Sequence, residues 1–144
     1  MIRVVLAVLL AVALFAAVGP GVDEGRRTHS ATRLDGITHR VERAARSLLT
    51  HEDPTRPGVA GARRIVRFRL PARSLAAASA TLQVDGRRDR IGYRVGGRHP
   101  HWTTLRGIDL RTPEGPVVVE RPGGHRLVLS LVRDRGVGVV VTRG

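Results

Sequence analysis

An uncharged N-terminal stretch constrains this chain more than any other feature. From Val4 to Val18 it reads VVLAVLLAVALFAAV, and no charged residue follows until Asp23. As a helix, residues 4–18 cover about 22 Å and the uncharged residues 4–22 about 28 Å, against a hydrocarbon core of about 30 Å. That length lies between the core of a signal peptide and a spanning helix. Cleavage after Ala17-Val18-Gly19 would leave Pro20 directly behind the cut, a poor signal-peptidase site. The sequence therefore predicts an uncleaved single-pass anchor over residues 1–22 in the cell membrane, with a signal peptide as the other reading and membrane lipid as a first partner. Only Arg3 precedes the run, whereas Arg26, Arg27 and Arg33 follow it. Domains longer than about 60 residues translocate largely regardless of such charges, so the C-terminal domain is expected to be extracytoplasmic.

Gly19-Pro20-Gly21 is expected to end the first helix. Beyond it, apolar residues recur at Leu34, Ile37, Val41, Ala44 and Leu48, joined by Ala45 and Leu49, a 3-4-3-4 rhythm that predicts an amphipathic helix over residues 23–51. A hydroxyl between Thr28 and Ser30 would cap its start. The stripe lasts little more than two heptads, too short for a coiled coil, and reads as cover for the protein's own sheet. Residues 52–62, EDPTRPGVAGA, have no period and read as a linker. From residue 63 to 144 the period becomes two. Val66, Phe68 and Leu70 alternate with arginines; Leu82 and Val84 lead through Asp85-Gly86 to Ile91, Tyr93 and Val95; Val117–Val119, Leu127–Val132 and Val137–Val141 follow, with turns at Pro122-Gly123-Gly124 and Asp134-Arg135-Gly136. The expected fold class is α+β: a hydrophobic helix, an amphipathic helix, then an antiparallel sheet of about five or six strands packed on that helix, with Ala76–Ala80 a short helical turn.

The domain after the apolar run needs a core of Val, Leu, Ile and Ala, because Phe15, Phe68, Tyr93 and Trp102 are the whole aromatic complement. The chain has 25 basic and 12 acidic side chains, hence a net charge of +13, and every basic residue is arginine. Lysine and asparagine are absent and Gln83 is the sole amide side chain. This is the imprint of GC-rich coding, although that bias does not account for the excess over acids. Without cysteine there is no disulfide, thiolate ligand or cysteine nucleophile.

The order of elements resembles the lollipop plan of type IV pilin-like and pseudopilin-like subunits, in which an N-terminal helix is anchored and its second half packs on an antiparallel sheet. The prepilin-peptidase motif is missing: only Met1-Ile2-Arg3 precede the apolar run, with no glycine, and no glutamate stands early in the helix. The segments MIRVVLAVLLAVAL, RRIVRFRLPARS and HRLVLSLVRD are similar to an uncharacterised haloarchaeal membrane-anchored family encoded near pilus-type secretion genes. That resemblance implies protein partners in an envelope assembly and carries no activity.

Familiar chemistry is hard to assemble. A phosphate-binding P-loop needs a lysine, no serine stands in a G-x-S-x-G elbow, and the glycine spacings do not match a dinucleotide fingerprint. No catalytic constellation, cofactor or small-molecule substrate is expected. His99-Pro100-His101 would need a third ligand such as His125 to hold a metal and reads as a loop; His51-Glu52-Asp53 reads as a helix end; no metal site is expected. Arg67, Arg69, Arg90 and Arg94 would form one basic stripe if they shared the outward sheet face. The sequence thus predicts a non-catalytic, membrane-anchored interaction or assembly subunit, such as an accessory of a pilus-like or secretion apparatus. The alternative is a basic module for a polyanion, whether nucleic acid, anionic lipid or an acidic surface polymer.

Overall fold

A single helix and eight strands make up the described chain. The computed structural model describes residues 2–73 and 78–144. Helix α1 (Ile2–His51) is followed by β1 (Arg63–Leu70), β2 (Ala80–Asp85), β3 (Arg90–Val95), β4 (His101–Thr104), β5 (Leu110–Arg111), β6 (Val117–Val119), β7 (Gly123–Arg133) and β8 (Val137–Arg143).

The two expected helices are one. A proline inside a helix removes one hydrogen bond and crowds the preceding turn, but its fixed φ is the helical value, so Pro20 burdens the helix without forbidding it. Among the described residues, no helix is long and apolar enough to cross a membrane. The described apolar side chains run from Val4 to Ala16, about 20 Å of helix against a hydrocarbon core of about 30 Å. Past the turn at Gly19-Pro20-Gly21 the same helix carries Glu24 and Arg27. The single-pass anchor, and the membrane localisation and extracytoplasmic placement that depended on it, are overturned.

The single antiparallel sheet is also corrected, to two four-stranded sheets with strand orders β1-β7-β8-β5 and β4-β3-β2-β6. The additions are β4 and β5. His101-Trp102-Thr103-Thr104 has no apolar alternation, and a two-residue strand has no period to read. β5 joins β8 in parallel, so the first sheet is mixed. β7 starts at Gly123, inside the expected turn. The β2–β3 connection has four residues in place of a two-residue Asp85-Gly86 turn, since Asp89 takes a left-handed φ of 48°. There the Asp89 carbonyl accepts from Leu105 N (2.7 Å) and its carboxylate from Leu110 N (2.8 Å), tying this turn to the segment that enters β5. Of the helical turn expected over Ala76–Ala80, residues up to 77 lie outside the described ones, and Ala80 opens β2.

The C-terminal half of α1 packs against strands of both sheets. Leu34, Ile37, Val41, Ala45 and Leu48 are buried among Val66, Phe68 and Leu70 of β1, Leu127, Leu129 and Leu131 of β7, and Leu82, Val84 and Ile91 of the second sheet. Full burial of each of these side chains other than Ala45 contributes about 1.5–3 kcal/mol. Among the described side chains Ser30 is the first buried one of the helix; its hydroxyl donates to the Ala78 carbonyl (3.4 Å) and accepts from Ala78 N (3.2 Å), pinning the chain just before β2. Between helix and sheet, Thr55 bridges to Val132, and Arg64 pairs with Glu52 at 2.6 Å, so residues 52–62 lie along the first sheet.

Candidate interaction surfaces

Among the described side chains, none of the helix N-terminal to Ser30 is buried in the core. Its described large side chains, Val4, Val5, Leu6, Val8, Leu9, Leu10, Val12, Leu14 and Phe15, are each 57% to 81% exposed. Because consecutive helical residues point about 100° apart, these positions cover every side of the cylinder. Between Val4 and Ala16 the arm therefore has no polar face.

Where the arm meets the domain, a cleft of about 480 Å³ opens between α1 and the β3–β4 turn. Its helix side carries Glu24, Arg27 and Asp35, and its sheet side Tyr93, Arg98 and His101. Glu24 accepts from Arg27 (3.4 Å) and from Arg98 (3.1 Å), so one carboxylate braces helix to turn. The Tyr93 ring lies against His101, centroids 5.3 Å apart, and burial, then the Asp35 carboxylate, raises the phenol pKa. The raised pKa keeps the Tyr93 phenol protonated at neutral pH. Paired charges and a tilted ring contact make this cleft a strut for the helix.

The four arginines of the expected stripe do not share a face. Arg67 and Arg69 are on β1 of the first sheet, Arg90 and Arg94 on β3 of the second. Arg90 is committed to structure. Its Nε donates to Asp85 Oδ2 at 3.2 Å, and its guanidinium sits 4.0 Å from the centroid of the Trp102 ring. Asp85 is buried and accepts also from Arg87 N (3.1 Å). Trp102 in turn lies over Gly92, its register partner on β3, where an added Cβ would come within 2.5 Å of the ring. Arg94 remains exposed on that sheet, away from β1.

The first sheet gathers a different set. On β1 the exposed positions are Arg63, Ile65, Arg67 and Arg69, and the pairing places Arg126 of β7 directly opposite Arg67. Arg126 was missed by sequence reasoning. Its outward orientation follows from the period of Leu127, Leu129 and Leu131, but its juxtaposition with Arg67 depends on a pairing 59 residues apart in sequence. At the opposite edge Arg111 is neutralised by Asp109 at 2.6 Å; that hydrogen bond above all, and the charges of Asp109 and Asp134, raise the guanidinium pKa against the opposing effect of burial. The histidines considered as metal ligands are dispersed: His101 faces Tyr93 on the second sheet, and His125 meets Phe68 in a tilted ring contact in the first, 5.8 Å between centroids. Among the described residues, no three His, Cys, Asp or Glu side chains converge as a metal site would need.

A family model matches the chain over residues 1–144. The chain belongs to DUF7311, a domain of unknown function. No curated protein and no solved structure shows significant similarity to it. The DUF7311 match spans arm and domain together, so both are parts of one family unit and neither is a chance extension of the other.

Proposed function

We propose that this DUF7311 chain is a non-catalytic assembly subunit whose apolar helical arm joins it to further copies of itself. One observation carries the reading: aliphatic side chains stand exposed on every side of the arm. A helix apolar all round is a buried helix, and the domain leaves this one bare. Burial is worth about 1.5–3 kcal/mol for each such side chain, and even part of that over nine positions exceeds the lower range of the cost of association, about 4 kcal/mol.

Copies of the chain are the occupant that best fits the arm. Each brings the same apolar surface, and Ala7 and Ala11, four residues apart, let two backbones approach closely. Charge favours this route over direct contact between domains. The net charge of +13 sets domains against one another, but the arm extends about 42 Å from Ser30 to Ile2, several times a Debye length of about 8 Å. Arms can therefore pack while the domains stay screened from each other.

The test is the mass of the full chain in solution by light scattering, beside Leu6→Gln/Leu9→Gln/Leu14→Gln. These three exposed residues play no part in the core, so the domain is left intact. The wild-type chain should be multimeric and the variant monomeric. A wild-type chain that is monomeric at micromolar concentration sinks the proposal.

A further inference from the structure

The outer face of the first sheet presents Arg63, Arg67 and Arg69 on β1 and Arg126 on β7, all exposed. Arg67 and Arg126 are direct cross-strand partners, an arrangement in which like charges destabilise a sheet. Among the described residues no acidic side chain relieves them: the positions around them are Ile65, Gly124, Val128, Ser130 and, beside Arg126, Gly144, and Arg67, Arg69 and Arg126 have no side-chain ion pair. Edge protection accounts for part of this pattern, because β1 is an edge strand and charges on an edge discourage pairing with other chains. It does not account for Arg126, which lies on an inner strand hydrogen-bonded on both sides. A repulsive pair kept where the fold gains nothing from it points to an external anion.

We infer that this stripe binds the phosphodiester backbone of duplex nucleic acid without reading its sequence. From Arg63 to Arg69 the charges span about 20 Å along one strand, with Arg126 one strand away, about 4.8 Å. That is a narrow line, suited to a linear polymer more than to the plane of a lipid surface. Guanidinium forks match phosphate oxygens bidentately. A cleft of about 430 Å³ beside the Arg67–Arg126 pair is also bordered by Arg143. The face lacks exposed aromatic rings, the platforms on which single-strand binders stack bases, which favours a duplex held by its backbone.

The experiment is a salt titration of a fluorescent mixed-sequence DNA duplex with the full chain. Four phosphate contacts give a log–log slope of about −3.6, so affinity should fall about 150-fold between about 50 and about 200 mM salt. Arg67→Gln/Arg69→Gln/Arg126→Gln should reduce the slope to about −0.9 and the loss to about 3.5-fold. Arg40→Gln/Arg43→Gln/Arg94→Gln removes equal charge elsewhere and should leave the slope near its original value. Arg126→Gln alone should lower it by about one, a check that needs only one exposed substitution. The inference is overturned if both triple variants lose affinity equally, since net charge would then explain binding. It is also overturned if the face variant binds as the wild type does, or if phosphatidylserine vesicles or polyglutamate compete more strongly than duplex at the same salt.

Discussion

Replacing Arg90 separates a structural arginine from a binding one. In Arg90→Gln, Asp85 loses a charge-assisted hydrogen bond worth about 1.5–3 kcal/mol when intact, and Trp102 loses a cation–π contact worth about 0.5–2 kcal/mol. Two features reduce the sum. The Arg90 side chain is 25% exposed, so water screens part of the interaction, and Asp85 keeps Arg87 N and an ion pair with Arg88 at 3.5 Å. The net loss should be about 2 kcal/mol, or about 6–12 °C in Tm for a domain of this size. Urea unfolding followed by the fluorescence of Trp102, the chain's one tryptophan, reads it directly, with an unchanged m-value as the sign of an unaltered denatured state. Duplex binding should stay within twofold of wild type. Stability within 0.5 kcal/mol of wild type, together with weakened binding, would refute the assignment and restore Arg90 to a polyanion face.

Three further substitutions probe the same architecture. Gly92→Ala puts a Cβ 2.5 Å from the Trp102 ring and 2.6 Å from the His101 carbonyl, so β3 and β4 must part; a loss of about 2–3 kcal/mol is expected in the same unfolding assay. Leu48→Ala empties a fully buried site where helix meets sheet and should cost about 2.7–5 kcal/mol by urea unfolding. Arg126→Thr removes the repulsion opposite Arg67 and puts a β-branched residue in a strand, so it should stabilise the chain by about 0.2–1 kcal/mol while weakening duplex binding, a pairing of effects readable by melting and titration on one sample.

The docked half of the helix and the long strands were legible because burial repeats there with a clean period: Leu34, Ile37, Val41 and Leu48 in the helix, and Val66, Phe68 and Leu70 or Leu127, Leu129 and Leu131 in the strands, all point inward. Period two gives each residue's face but not its neighbour. Arg67 and Arg90 both alternate with apolar residues, and only strand order places them on different sheets and sets Arg126 beside Arg67. Short elements escaped for want of length, as β4 and β5 show. The apolar run misled in another way. Its composition matched a membrane core, but the described apolar helix covers about 20 Å and continues without interruption into a charged segment. Trp102 illustrates the converse: the polar surroundings of HPHW suggested a loop, and its ring instead seals Gly92 beneath Arg90.

The absence of cysteine makes the arm directly testable, because one introduced thiol is unique in the chain. Leu10→Cys places it midway along the apolar part of the arm, Val4 to Ala16, and Arg106→Cys places one on the exposed surface of the domain. Under mild oxidation of dilute protein, Leu10→Cys should form covalent dimers rapidly and in high yield, whereas Arg106→Cys should remain monomeric. Equal cross-linking at the two positions, or none at Leu10, would contradict assembly through the arm.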